Sequence, residues 1–206
     1  MPPWASEGGS VSDEKRKLSR FGWYVVQVTA GSEKRMCEAI GQACEELDGR
    51  SGGEGPRVGL KECFCPRYAS RKKRMGNWHD TTRTLLPGYV IAVARHPAGL
   101  AHALRGLKDF ARVLASEETY LPLDEAEREW LESQTTPADR VVPLSFACKE
   151  GDRLVVTDGP LEGNEAMITR LDRKNCIAHV EFHAGQMTLK TTVGLVVMPS
   201  GMVRQI

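Results

Sequence analysis

Apolar residues change their spacing at the Pro-containing stretch from Thr135 to Pro143, and this change limits the possible folds more than any other property of the chain. Before the stretch, apolar residues recur at both strand and helix intervals; after it, they occur in short runs separated by turn residues. A chain of 206 residues has room for two units of ordinary size. We therefore predict a domain at 21–134, a linker at 135–147 and a second domain at 148–206.

The N-terminal unit begins with a strand followed by an amphipathic helix. Residues 23–28, WYVVQV, are almost all aromatic or β-branched and predict the strand. Ser32 is a candidate N-cap, and apolar residues recur at three- and four-residue intervals over 36–47, which predicts the helix. Residues 58–65 then predict a second strand, which Pro66 ends.

The remainder of this unit contains a further strand and two further helices. A Pro87-Gly88 turn precedes the apolar strand 89–93, and helical spacing recurs over 97–107 and 124–134. The order β-α-β-β-α with a final strand predicts an α+β sandwich.

Beyond the linker the sequence predicts only short strands, at 153–157, 166–171, 177–182 and 188–192. Turn residues such as Asp158-Gly159-Pro160 separate them. Short strands at such regular spacing predict a small β-barrel that is closed or nearly closed.

The first 20 residues are rich in Pro, Gly, Ser and charge, and we predict a disordered leader there.

No apolar run approaches the roughly 18 to 20 residues that span a bilayer, and the N-terminus lacks the apolar stretch of a secretory signal. We expect a cytoplasmic protein with no membrane partner. The six cysteines form no CxxC pair, so reduced thiols are expected.

Charge is unevenly distributed, although the formal net charge is only +1. Six cations fall within 67–83, interleaved with Tyr68, Trp78 and His79, whereas acidic residues concentrate in 117–132. We interpret 67–83 as a basic loop. Cations attract phosphates and aromatic rings stack on unpaired bases, which suits a nascent RNA hairpin loop or an exposed DNA strand. A solvated loop that is merely basic is the alternative.

The candidate nucleic-acid-binding residues are Arg67, Arg71, Lys72, Lys73, Arg74, Trp78 and Arg83, with Arg173 and Lys174 in a predicted barrel turn as an extension of the same surface.

Several strings resemble catalytic or metal sites. Residues 49–53 match the nucleophile-elbow string, but both flanks are loop-like where the elbow needs a strand and a helix. His179, Glu181 and His183 alternate and could hold zinc, yet an exposed strand face with Val180 and Phe182 turned to the core is favoured. No GxxxxGK[ST] string occurs in the chain.

The cysteines offer a further candidate metal site. Cys63 and Cys65 share a strand face and could join Cys37 and Cys44. The latter two lie on the apolar stripe of the first helix, which favours small buried hydrophobic side chains. We expect no metal, no cofactor and no catalytic residue, and therefore a non-enzymatic protein.

Three segments resemble the signatures of the NusG family. Residues 23–28 with Gly31 and Glu33, and then 86–90, LPGYV, are similar to the motifs that bracket the N-terminal domain of NusG proteins. Residues 151–163 resemble the KOW motif of the same family, carried by Gly159, Pro160 and Gly163. The resemblance spans roughly residues 21 to 206.

Four further short motifs resemble those of the LoaP group of NusG paralogues. They lie at 64–67, 76–78, 168–174 and 193–195. Two positions depart from the family pattern. Leu86 stands where the family usually has Phe, and Ala166 stands where the KOW motif usually has a third glycine, which suggests a backbone conformation there that tolerates a Cβ.

The resemblance implies an NGN-type N-terminal α/β sandwich with an antiparallel sheet and a C-terminal SH3-like barrel. It also implies that the N-terminal domain binds the β′ clamp helices of RNA polymerase and reaches across to the β subunit. Tyr24, Leu86, Pro87 and Tyr89 are the candidate polymerase-binding residues. The alternative is that aromatic residues such as Tyr24 and Tyr89 are core residues.

We therefore predict a monomeric transcription elongation and antitermination factor. Its barrel would contact NusE, Rho or RNA, as the resemblance implies. A KOW-containing RNA-binding assembly or ribosome-associated protein without affinity for polymerase is one alternative, and a hydrolase or metalloenzyme is another.

Overall fold

A computed structural model describes residues 21–50, 57–116, 119–151, 153–184 and 187–198. The predicted leader and most of the nucleophile-elbow string lie outside these residues. In chain order the elements are β1 (Gly22–Val28), α1 (Glu33–Arg50), β2 (Leu60–Phe64), β3 (Arg67–Arg74), β4 (Asn77–Thr84), β5 (Tyr89–Ala94), α2 (Pro97–Leu104), β6 (Ala111–Val113), β7 (Ala115–Ser116), β8 (Thr119–Tyr120), α3 (Glu125–Gln134), β9 (Val141–Val142), β10 (Ser145–Glu150), β11 (Arg153–Asp158), a short 3-10 helix (Glu165–Met167), β12 (Ile168–Asp172), β13 (Ile177–Ala184) and β14 (Met187–Met198).

Four antiparallel strands form the N-terminal sheet, in the order β2-β5-β1-β6. The predicted mixed fold of helices and strands is confirmed, as are the strand at 23–28, the strand after Gly88 and the three helices. β2 is shorter than the strand predicted over 58–65.

Helices α1 and α2 cover one face of the N-terminal sheet. Met36, Ile40 and Cys44 recur every four residues along α1, so they form one stripe, and that stripe packs on Val26 and Val90 among others. Full burial of each such aliphatic side chain contributes roughly 1.5–3 kcal/mol to folding. The helix face is therefore an ordinary apolar core.

The predicted basic loop is wrong. Residues 67–84 form a two-stranded antiparallel hairpin, β3–β4. We call this element the basic hairpin. The turn between its strands is Met75-Gly76, where both residues have positive φ, 50° and 86°. Such a two-residue turn matches the twist of the flanking strands. The charged sequence of β3 shows no apolar alternation, which is why pattern alone missed the strand.

The C-terminal sheet has five strands in the order β11-β10-β14-β13-β12. β10 and β14 are parallel, and the other neighbours are antiparallel. β10 was not predicted, and it begins at Ser145, inside the predicted linker. In the described residues β11 and β12 are the two edges of an open order, so closure into an SH3-like barrel stays a prediction.

The predicted linker also contains β9, which pairs in parallel with β3. Arg140, just before β9, is 9% exposed and forms an ion pair with Glu62. Its guanidinium lies 4.4 Å from the Phe64 ring and 5.5 Å from the Trp23 ring. Cation–π contacts and a paired carboxylate therefore hold this segment against the N-terminal sheet.

The two sheets share one apolar cluster. Trp23, Val25 and Ile91 on the second face of the N-terminal sheet belong to the same buried cluster as Phe182 and Leu195 of the C-terminal sheet. Polar contacts join the units as well: the Tyr68 and Thr192 hydroxyls lie 2.8 Å apart, and the Thr191 hydroxyl donates to the Leu85 carbonyl. The C-terminal sheet is thus packed on the N-terminal unit.

None of the helices in the described parts of the chain is both long enough and apolar enough to cross a membrane.

Candidate nucleic-acid interface and polymerase contacts

The basic hairpin presents two different faces because side chains alternate along each strand. Cross-strand pairing places Lys72 opposite His79 and Tyr68 opposite Arg83, so these residues share one face. Lys73 pairs with Trp78 and Arg71 with Asp80 on the other face. Every residue from 72 to 80 is exposed, so both faces of the distal half are open to solvent.

Ion pairs neutralise only part of the positive charge. The Arg71 Nε donates to the Asp80 carboxylate at 2.8 Å, and an Arg67 Nη lies 3.8 Å from Asp139. The four other predicted cations of the hairpin have no ion pair within the described residues; they are Lys72, Lys73, Arg74 and Arg83. Exposed cations without an internal partner are suited to phosphate contacts.

The tip of the hairpin is apolar. Met75 is 99% exposed and Trp78 is 49% exposed, and these are two of three large apolar side chains that stand out from the described surface. An indole beside Lys73 can stack on an unpaired base while the ammonium group contacts a phosphate. The structure therefore brings Lys73 and Trp78 together, but it corrects the prediction for Tyr68, which is 2% exposed and contacts Thr192 of the C-terminal sheet.

Arg173 and Lys174 lie in the turn between β12 and β13. Asn175 donates to the Asp172 carboxylate from both its side chain and its backbone, which lowers the pKa of Asp172 and fixes the turn. Burial raises the pKa of the neighbouring Cys176, and the nearby Arg71 guanidinium opposes that rise. The charge of Arg71 in the basic hairpin therefore acts on a residue of this turn.

The candidate polymerase-binding residues do not form one patch. Tyr24 and Val26 point to the helix side of the N-terminal sheet, and burial raises the pKa of Tyr24. Tyr89 pairs with Gln27 on β1, so it lies on the opposite face, where it packs against the cluster shared with the C-terminal sheet. Tyr24 and Tyr89 are both half-buried.

Leu86 and Pro87 differ in their exposure. Leu86 is 1% exposed, whereas Pro87 at the same turn is exposed. The Thr191 hydroxyl bonds the carbonyl of the adjacent Leu85, so a strand of the C-terminal sheet is held beside this turn. Of the four candidates, only Pro87 is fully accessible in this arrangement.

Glu33 positions this turn, although the sequence did not single it out for that role. Its Oε1 accepts hydrogen bonds from the Gly88 N–H at 2.8 Å and the Gly31 N–H at 3.0 Å. Gly88 has φ 81°, a conformation that glycine adopts without strain. The sequence signals were its place in the motif with Gly31 and its acidic character in the first turn of a helix, and neither indicates a contact with Gly88.

Backbone conformation explains why glycine occupies both motif positions of the C-terminal unit. Gly159 has φ 97°, and a Cβ there would lie 2.7 Å from the Leu144 carbonyl oxygen. Gly163 has φ 71° with open space around it. Ala166 is not among the described residues with positive φ, so the expectation that its backbone tolerates a Cβ is confirmed.

Pro160, between the two motif glycines, accepts a hydrogen bond of 2.9 Å from the Trp130 indole of α3. The indole also packs edge-on against Phe182, with 5.3 Å between ring centroids. The motif turn is therefore a contact between the two units.

The predicted metal alternatives gain no support from the described residues. Val180 and Phe182 are buried, so the core-facing side of β13 is as predicted. All six cysteines are thiols, and the described residues contain no group of three or more His, Cys, Asp or Glu arranged to hold a metal ion. Cys37 and Cys63 are in side-chain contact, and this contact together with burial raises the pKa of Cys63 well above its usual range.

Comparison with protein families agrees with the sequence motifs. Residues 21–132 match the family described as "NusG: Transcription termination factor nusG". A solved structure titled "Domain interaction in Thermotoga maritima NusG" is similar at 17% identity, with a TM-score of 0.47, over 86% of this chain and 95% of that chain. No curated protein matches.

Proposed function

Because this chain belongs to the NusG family of transcription factors, we propose that it is a non-enzymatic elongation and antitermination factor that binds RNA polymerase. Family membership supports transcription as the process. The observation that carries the proposal further is the basic hairpin, which has four cations without an internal ion pair and places one of them, Lys73, opposite the exposed Trp78. The hairpin is therefore suited to nucleic acid, which is the partner that a member of a transcription family would meet.

The hairpin would contact a nascent RNA hairpin or the non-template DNA strand. Charge on both faces favours a partner that the ribbon enters or that wraps around it, and the apolar tip favours unpaired bases. Arg173 and Lys174 would extend the phosphate contacts from the neighbouring turn. The motifs similar to those of the LoaP group support recruitment through such a nucleic-acid element.

Polymerase binding would use the turn that contains Pro87 and Tyr89, against the β′ clamp helices and the β subunit. In the packed arrangement Leu86 is buried beside β14. Full exposure of this face therefore requires the C-terminal sheet to move away from Leu85. Once released, the KOW-like unit would be available to NusE, Rho or RNA, and the protein would act as a cytoplasmic monomer.

The test is retention of the full chain on immobilised bacterial RNA polymerase. Tyr89→Ala should reduce retention, whereas Phe110→Ala, a matched truncation of a 54% exposed aromatic residue outside the proposed face, should not. Circular dichroism of both variants separates loss of binding from loss of folding.

Retention without any effect of Tyr89→Ala would remove Tyr89 from the proposed contact. A protein that binds RNA but shows no retention on polymerase would instead support the alternative, an RNA-binding assembly factor.

A further inference from the structure

A pocket of about 380 Å³ lies where helix α3 meets the C-terminal sheet, away from the basic hairpin. Trp130 and Ala126 of α3 form one wall, and Met167 with β13 forms the other. This volume is within the range of small-molecule sites. Trp130, Met167 and two alanines give the lining its apolar part, and its other five residues are polar or charged, so the pocket offers an apolar wall beside polar groups at defined positions.

Glu127 is the charged residue in the wall of this pocket. It is only 9% exposed, and its Oε1 lies 3.0 Å from the His183 Nδ1 and accepts the His183 N–H at 3.3 Å. Its Oε2 is buried and has no hydrogen-bond partner among the described residues. A buried carboxylate oxygen without a donor is costly, so a donor is expected to be supplied from outside these residues.

The surroundings of Glu127 select the charge of that donor. Glu181, on the same pocket wall, is already engaged by Lys190 at 3.5 Å. The neighbouring Arg128 is engaged by carboxylates of its own helix, at 2.6 Å from Glu132 and 3.2 Å from Glu125. Apart from His183, which lies at Oε1 and is a cation only when protonated, no cation of the described residues forms an ion pair with Glu127, and the site favours a positively charged group.

We propose that this pocket binds a small organic cation with an apolar body, such as an aryl amidine or an arylalkyl amine. Its cationic group pairs with the Glu127 carboxylate. Its apolar body packs against Trp130 and Met167, where the indole also attracts cations. A neutral molecule of the same shape fills the same space but leaves Oε2 without a charged partner.

Such a ligand touches both α3 and the C-terminal sheet, so it favours the arrangement in which the two are packed together. At a concentration 100 times its Kd, a ligand that binds only the packed form shifts that equilibrium roughly 100-fold. This consequence rests on the proposed function, since it implies that the cation opposes the exposure of the polymerase face. Binding itself is independent of polymerase and can be tested alone.

The test is calorimetric titration of the full chain with benzamidine, and with benzamide as the neutral molecule of the same shape. We expect benzamidine to bind at least tenfold more tightly than benzamide. Glu127→Gln should abolish that preference, because the amide keeps an acceptor for the His183 N–H but carries no charge. Glu129→Gln, an exposed carboxylate on the same helix, is the matched control and should keep the preference.

A second variant guards against misfolding of Glu127→Gln. Ala166 is exposed at the pocket wall, so Ala166→Phe should fill the space and weaken benzamidine binding while Glu127 stays in place. The proposal is overturned if millimolar benzamidine gives no heat of binding. Equal binding of benzamidine and benzamide to the unaltered chain would overturn it as well.

Discussion

The Trp130 indole N–H donates a hydrogen bond of 2.9 Å to the Pro160 carbonyl, and it thereby joins the last helix of the N-terminal unit to the motif turn of the C-terminal sheet. Trp130 is 7% exposed, so this bond lies in an apolar environment where an unpaired carbonyl is costly. The two units are consequently held together by a specific polar contact inside a shared apolar cluster.

Replacement of Trp130 by Phe should lower the free energy of unfolding by about 1–3 kcal/mol, because it removes the donor to Pro160 and leaves a small cavity. Urea denaturation measures the change. Trp78→Phe, the same substitution at an exposed site, should leave stability within about 0.5 kcal/mol of the original. Equal stability of the two variants would show that the Trp130 bond contributes nothing.

Removal of three unpaired cations should weaken nucleic-acid binding and flatten its salt dependence. For Lys72→Ala, Arg74→Ala and Arg83→Ala combined, the slope of log K against log salt for single strands should fall by about 2, since each phosphate contact contributes roughly 0.7. Fluorescence anisotropy at several salt concentrations measures it. A control with Lys34, Arg57 and Lys108 replaced by Ala loses the same charge elsewhere and should keep the slope.

Trp78→Ala should weaken binding to single-stranded oligonucleotides by about 1–3 kcal/mol, through loss of stacking on a base. Trp78→Phe should retain part of that affinity because it keeps an aromatic face. Since Trp78 is 49% exposed, neither change should alter the melting temperature appreciably. If the Ala and Phe variants bind equally well, the indole does not stack.

Glu33 should make the N-terminal unit sensitive to acid. Burial alone would raise its pKa, but the Gly88 and Gly31 N–H groups stabilise the carboxylate and bring the pKa below its ordinary value of 4.5. Its stabilising contribution is therefore complete above that ordinary value and is lost as pH falls through the lower folded-state pKa. Thermal melts at descending pH should show a smaller acid loss for Glu33→Gln than for the unaltered chain.

The two motif glycines should differ in their tolerance of alanine. Gly163→Ala should cost about 1–2 kcal/mol, the strain of a left-handed conformation with open space around it. Gly159→Ala has the same kind of strain and in addition places a Cβ 2.7 Å from the Leu144 oxygen, so its cost should be about 3 kcal/mol or more. Equal melting temperatures for the two variants would contradict this steric account.

Local patterns predicted the elements in which the apolar residues themselves follow the period of a strand or a helix. The strand at 23–28 and the helix with Met36, Ile40 and Cys44 on one face could be recognised because the period of burial is written in the order of apolar residues. The basic hairpin was missed because its strands are exposed on both faces in the distal half, so they have no such period. β10 was missed because its buried residues, Ser145, Phe146 and Ala147, are consecutive and do not alternate with exposed ones.

The sequence by itself determined the family, the helices, about half of the strands and the identity of the charged and aromatic residues at 67–83. Only the tertiary structure decided which of those cations keep an ion pair, that Tyr24 and Tyr89 face opposite sides of one sheet, and that Glu127 lies buried against His183. The physical reason is that periodicity reports which side of an element is apolar. Burial and pairing of a charge depend instead on residues brought from distant parts of the chain.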